Sequence, residues 1–324
     1  MSVVYPRVSI IVAVKSHNQN LDECVRHCLE LDYPDYEIFV CPDEAYDPPH
    51  PNVRIIPTGP VGPAEKRDIA ARQASGEILA FLDDDTYPSR AWLRYAVRSF
   101  DDPTVGAVGG PAVTPPDDSA RGQASGFVYA SLAGGGNYAY RYAPLARREV
   151  DDYPTCNLIV RRSAFEAVGG FDTQFWPGED TKLCLDLTQK LGLKIVYDPG
   201  ALVYHHRRPL FGPHLRQVRS YGLHRGYFAK RFPATSLRAS YFLPTAIVLW
   251  MAAGWPIVAL LPALRGVYLL SWAVYLLTVA ASAILASRSP KLTPYVMLGI
   301  MATHIVYGVW FVVGLLSLRL KEEN

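Results

Sequence analysis

The chain has 324 residues, enough for one large domain or two smaller ones, with 32 Lys+Arg against 30 Asp+Glu. The near-neutral total hides a split: residues 1–198 hold 19 Lys+Arg and 28 acids, whereas residues 199–321 contain no Asp or Glu at all. An acidic front and a basic, apolar back argue for a charged surface facing a membrane, and nucleic acid is not an expected partner.

The front begins with a short, almost continuous apolar run at 8–14, which suits a strand buried on both faces. Leu21, Val25, Cys28 and Leu29 then fall at helical spacing. Residues 36–41 read as a second strand ending at Pro42-Asp43, and 53–56 as a third before a Pro/Gly loop at 57–63. A helix is predicted over 64–74 and a fourth strand over 78–82, which ends in Asp83-Asp84-Asp85. Strands alternating with helices indicate an α/β domain with a mostly parallel sheet. Ligands of such sheets bind beyond the carboxyl ends of the strands, where Asp43 and the aspartate triplet both fall.

Three constellations carry chemistry. Carboxylates crowded at the end of an apolar strand call for a cation, and hard divalent ions such as Mg²⁺ bridge one or two carboxylates to phosphates. The alternative is a polar turn in which one Asp caps the helix containing Trp92, Leu93 and Val97. The second constellation, residues 175–181, leads into a helix with Leu183, Leu187 and Leu191. Asp180 there reads either as a helix N-cap or as a general base that takes a proton from an acceptor hydroxyl. The third is Tyr204-His-His-Arg-Arg208, in which a histidine could complete a metal site. Its arginines, Arg207 and Arg208, could bind diphosphate or lie against anionic headgroups. Lys66 and Arg67, in the first turn of their helix, could face phosphate or solvent.

Three apolar stretches near 241–264, 266–286 and 293–318 each approach the roughly 20 helical residues that span a bilayer core. Pro244, Pro256 and Pro262 are expected to kink the first or to turn part of it into a re-entrant piece. Lys and Arg before the first stretch and between the second and third lie on one side, which places the front domain in the cytosol. Residues 8–14 are too short for a signal peptide and lack its flanks. The expected organisation is a catalytic domain over 1–210, a basic, aromatic-rich interfacial segment over 211–239, and a membrane region over 240–324. All five cysteines (24, 28, 41, 156, 184) lie in the front part and read as reduced and structural.

Taken together, the ordered segments resemble the inverting family-2 glycosyltransferases with the GT-A fold, across residues 7–235. The resemblance rests on residues 8–14, 37–43, 62–76, 81–88, 155–172, 178–180 and 204–206, with Asn157–Arg162 followed by Val168-Gly-Gly-Phe-Asp172 especially close. It implies a membrane-anchored enzyme of the GT-A (Rossmann-like, mixed-sheet) α/β class that uses a nucleotide-sugar donor, UDP-sugar favoured, and Mg²⁺ or Mn²⁺. The acceptor would be lipid-linked or a glycan near the membrane, and oligomer formation stays open. By position, Asp43 would hold the base or ribose, with Ala13 and Lys15 lining that pocket. Asp85 would bind the metal, Asp83 would contact ribose or assist the metal, and Asp84 would act as a spacer on the nucleotide side. Asp180 would be the base with Glu179 alongside, and His205 would contact metal or diphosphate, His206 being the fallback. Residues 113–150 would supply an acceptor-side loop. Two departures stand out: residues 15–20 replace the family's usual polar turn, and Arg216–Tyr221 lacks the Gln-x-x-Arg-Trp pattern of processive synthases, which favours transfer of a single sugar. The other readings are a processive synthase subunit and an inactive nucleotide-sugar binding protein.

Overall fold

The apolar run at the front forms β1 (Val8–Ala13), every residue of which is buried, as suits a strand covered on both faces. The computed structural model describes residues 5–48, 50–171 and 177–320. They divide into two compact units, one of residues 5–113 and 143–206, the other of 114–142 and 207–320. Asp172, Phe175 and Trp176, within segments singled out above, lie outside the described residues.

In the first unit β1 is followed by α1 (Gln19–Leu29), β2 (Tyr36–Cys41), β3 (Val53–Ile55), α2 (Pro63–Gln73) and β4 (Ile78–Asp83). Next come β5 (Thr86–Pro88), α3 (Trp92–Arg98), β6 (Val105–Gly109) and β7 (Ala112–Val113). The chain then enters the second unit for α4 (Ala120–Ala130) and α5 (Leu132–Gly135). It returns for β8 (Arg148–Val150), β9 (Asn157–Arg161), α6 (Arg162–Ala167), α7 (Glu179–Gln189), β10 (Lys194–Tyr197) and β11 (Val203–His205).

Eight strands form one sheet in the order β3-β2-β1-β4-β9-β6-β10-β8. Strand β1 runs parallel to β2 and β4 with Ala13 level with both Cys41 and Asp83, so the carboxyl ends of three neighbouring strands share one edge. The sheet is mixed, because β9 lies antiparallel between β4 and β6. A strand buried on both faces has the same apolar signature in either direction, so composition did not reveal this reversal. The amide of Asn157 at the start of β9 is fully buried. It accepts from Trp92 Nε1 at 2.8 Å and donates to Gly110 O at 2.6 Å and Ala201 O at 2.8 Å. Trp92 Nε1 is a buried donor that would lose this partner, while Gly110 O also accepts from Tyr153 Oη at 2.7 Å; the one Asn157 side chain thus ties α3, the end of β6 and the approach to β11 together. All five cysteines are buried and free, as their front-domain placement led one to expect.

The second unit continues with α8 (Gly212–Arg231), α9 (Pro233–Ser236), α10 (Ala239–Leu260), α11 (Arg265–Ser287) and α12 (Thr293–Leu316). The last three are long and apolar enough to cross a membrane. Pro244 and Pro256 both lie inside α10, and Pro262 begins the short 3-10 turn before α11. Residues 114–142, grouped from sequence with the front domain, pack here with the C-terminal helices. Ala124 and Val128 of α4 join Val279, Ala283, Val296 and Ile300 in one apolar cluster. The backbone of Ala133 is held at both ends, its N–H by Ser282 Oγ at 2.9 Å and its carbonyl by His304 Nε2 at 2.8 Å.

His214 of α8 is wholly buried between Ser125 Oγ (2.7 Å) and Thr303 Oγ1 (2.9 Å). Burial, with a smaller contribution from Arg207, pushes its pKa down to about 4 from 6.5. The folded unit therefore binds fewer protons than the unfolded chain between these values, and the stabilisation is complete above pH 6.5 and lost as pH falls to 4. We expect the second unit in detergent to lose on the order of 3 kcal/mol across that window, with His214→Gln flattening the slope. Thermal melts at pH 7 and pH 4.5 check this.

Candidate active site

The three aligned carboxyl ends converge on a cluster of ion pairs. Just beyond β1 and β2, Asp43 N–H donates to Lys15 O at 3.0 Å, and Ala13 is buried beside them. Lys66, in the first turn of α2, is itself buried. Its ammonium sits 2.6 Å from Asp43 Oδ1 and 2.8 Å from Thr58 Oγ1, and donates to Gly59 O at 3.3 Å. Lys66 thus braces Asp43 instead of standing in solvent, and the Lys15 side chain is exposed.

Arg67 is the hub that the sequence did not disclose. It is 3 % exposed, its Nη2 lies 2.6 Å from Asp83 Oδ1 and its Nη1 lies 3.0 Å from Glu179 Oε1. One guanidinium fork therefore joins the end of β4 to the start of α7 across 112 residues of chain. Burial alone would lower its pKa, but the carboxylates of Asp83 and Glu179 hold it above the ordinary value. Glu179 is buried, and its second oxygen accepts from Gly178 N–H at 3.0 Å. Gly178 caps α7 with φ at +134°, a conformation that favours glycine. Asp180 is therefore in the first turn of α7, not at its cap, and is only partly buried. The capping alternative for the triplet is not realised either, since α3 begins after Ala91 with no side-chain cap.

The triplet fans out. Asp83 faces Arg67, while Asp84 accepts from Asn18 Nδ2 at 2.7 Å. Asn18 also caps α1, its Oδ1 accepting from Leu21 N–H at 3.0 Å, so the turn that departs from the family pattern is tied to the triplet. Burial raises the Asp84 carboxyl above its ordinary pKa; the Asn18 hydrogen bond opposes this, and the neighbouring Asp85 and Asp83 charges add to it. Asp85 faces His205. Strand β11 pairs antiparallel with β5, setting His205 level with Thr86, and its Nε2 lies 3.2 Å from Asp85 Oδ1. His206 turns away, to Glu23 at 2.8 Å. Nδ1 of His205 is buried without a hydrogen-bond partner.

Among the described residues no group of three or more His, Cys, Asp or Glu could hold a metal ion. The Asp85–His205 pair nevertheless offers one oxygen and one nitrogen donor, a set that fits Mg²⁺ or Mn²⁺ where phosphate oxygens complete the shell. Arg207 and Arg208 belong to the second unit. There the Arg207 guanidinium lies 4.9 Å from the ring centre of Tyr142 and 6.0 Å from that of Tyr129, and Arg208 is exposed.

Residues 9–169 match the profile of Glycosyl transferase family 2. These residues form a Glycosyl transferase family 2 domain. The family 2 domain is joined by relatives in Mycobacterium tuberculosis (strain ATCC 25618 / H37Rv). A pre-mycofactocin glycosyltransferase is 32% identical over 173 residues, 53% of this chain and 36% of that protein. An N-acetylglucosaminyl-diphospho-decaprenol L-rhamnosyltransferase is 31% identical over 187 residues, 49% of this chain and 60% of that protein. The match thus spans about a third of the first relative's length. A mannosyltransferase from Pyrobaculum calidifontis, solved with GDP-Man and Mn²⁺, aligns with a TM-score of 0.60 at 23% identity, covering 95% of this chain and 88% of that one. The family 2 domain has the GT-A fold, and three candidate spans follow it.

Proposed function

We propose that this chain transfers a single sugar from a nucleoside-diphosphate donor to a membrane-proximal, lipid-linked or glycan acceptor, with inversion at the anomeric carbon. The observation that carries the proposal is the Arg67 fork, which holds the carboxylates of Asp83 and Glu179 in one cluster at the carboxyl edge of β1, β2 and β4. In this reading Asp43, braced by Lys66, receives the base or ribose beside Ala13 and Lys15, and Asp83 and Asp84 line the nucleotide side. Asp180 takes the proton from the acceptor hydroxyl as its oxygen attacks C1 and the nucleoside diphosphate leaves from the opposite face. Glu179 is a positioning group, because its carboxylate is committed to Arg67. A divalent cation bound by Asp85 and His205 would stabilise the charge on the departing diphosphate. Arg207 and Arg208 are assigned to phosphate of donor or acceptor.

A lipid-linked acceptor is favoured by the three long apolar helices, and one relative is named for a diphospho-decaprenol acceptor. UDP-sugars remain our first choice of donor, with the GDP-Man of the structural relative the second. A catalytic domain on the cytosolic face, among anionic lipids, completes the proposal. Thermal-shift measurement with UDP- and GDP-sugars, with and without Mn²⁺, tests it. At about 100 times Kd a donor should add about 2.7 kcal/mol of stability. The Mn²⁺-dependent part should vanish in Asp85→Ala and His205→Ala. Absence of stabilisation by any nucleotide-sugar under either condition would sink the proposal.

A further inference from the structure

Helix α1 stands against the short ladder that carries His205 and leads out of Asp85. Strands β5 and β11 run antiparallel, with Tyr204 level with Tyr87 and His205 level with Thr86. The pairing extends one step further, because the His206 backbone N–H donates to Asp85 O at 3.0 Å. Successive side chains of a strand point to opposite faces, so Tyr204 and His206 share one face and His205 projects from the other. The rings agree: Tyr87 stacks on Tyr204 with 5.1 Å between centres and lies 5.7 Å from His206.

That ring-bearing face is the one α1 grips. Glu23 and His27 stand one helical turn apart, on one side of α1. The His27 imidazole stacks on the Tyr87 ring, with 4.4 Å between centres and 18° between planes. Glu23 Oε2 accepts from His206 Nε2 at 2.8 Å. At the start of the same helix Asn18 donates to Asp84 Oδ2 at 2.7 Å. One helix thus bears on Asp84, Tyr87 and His206, each within two positions of Asp85 or His205.

Magnitudes separate what these contacts do for the fold from what they do for the site. The Glu23 and His206 side chains are 27% and 25% exposed, so solvent screens the pair and it adds little stability. A binding constellation is less forgiving, since its donors must be held within about 0.5 Å of their working positions. Loosening the ladder therefore costs ligand geometry before it costs the fold.

We infer that Glu23 and His27 are positioning residues for the Asp85–His205 pair, holding the β5–β11 ladder from the face opposite His205 and so setting the separation of the two donors. The inference rests on the metal reading given above. Water-proton relaxation measures Mn²⁺ bound to the detergent-solubilised full chain, with UDP or GDP present to supply phosphate oxygens. Glu23→Ala and His27→Ala should each raise the apparent Mn²⁺ Kd by about 10-fold or more. Glu23→Gln keeps the acceptor and His27→Phe keeps the stacked ring, so both should stay within a few-fold of the parent. Nucleotide affinity without Mn²⁺ and the thermal midpoint should hardly move in any of the four. Parent-like Mn²⁺ affinity in both alanine variants overturns the inference, as does equal weakening in the conservative pair. Where an alanine variant fails to fold, Tyr204→Leu, which removes the cross-strand ring, gives the same reading. A parent that binds no Mn²⁺ with either nucleotide overturns the Asp85–His205 metal reading itself, and the inference with it.

Discussion

Replacing Arg67 with methionine is expected to destabilise the first unit by about 3–5 kcal/mol and to abolish turnover. The loss comes less from the contacts removed than from what remains. The Glu179 side chain is 6% exposed and would keep a buried charge without its cation, while Asp83, one-third exposed, would lose the guanidinium 2.6 Å from its Oδ1. For a unit of this size the thermal midpoint should fall on the order of 10 °C. Arg67→Lys should recover little, because an ammonium is a point charge and cannot hold two carboxylates with one planar fork. Adding Glu179→Leu to Arg67→Met should restore part of the stability by removing the stranded charge, without restoring activity. A single variant as stable as the parent would show that the fork is not what joins the two motifs.

Asp180→Asn is expected to lower kcat by about 10²–10⁴ while leaving donor affinity within a few-fold, since only the proton acceptor is lost. The asparagine keeps the shape of the side chain, and the two carboxylates that Arg67 bridges, Asp83 and Glu179, are unchanged. Glu179→Gln should behave differently, lowering the thermal midpoint together with kcat because Arg67 loses a charged partner. Steady-state kinetics alongside thermal melts separate the two. An Asp180→Asn enzyme within ten-fold of the parent kcat would remove Asp180 from the base role. If donor binds normally and neither enzyme turns it over, the chain is a nucleotide-sugar binding protein.

The strands were legible because burial on both faces leaves long apolar runs, and their carboxyl ends marked Asp43 and the triplet as one neighbourhood. Residue type alone did not separate the histidine pair; only the resemblance put His205 ahead of His206. His205 and His206 are adjacent and chemically identical, and only the antiparallel pairing of β11 with β5 turns one to Asp85 and the other to Glu23. Lys66 and Arg67 were equally ambiguous, since a cation in the first turn of a helix can face solvent, phosphate or a carboxylate. Asn18 could have been suspected as a helix cap, but its bond to Asp84 spans 66 residues and leaves no local trace.

By itself, then, the sequence determined the α/β class, the family, the ordered acidic motifs and the apolar character of the last third. The class and the apolar character depend on periodicity and on residue type, which are local properties of a chain, and the family on the resemblance carried by the ordered segments. Tertiary structure decided which carboxylate meets which cation, the reversed direction of β9, and the packing of residues 114–142 with the C-terminal helices. It also set α1 against the β5–β11 ladder. Periodicity describes each element one at a time, but the spacing of Asp85 and His205 depends on contacts between residues far apart in the chain.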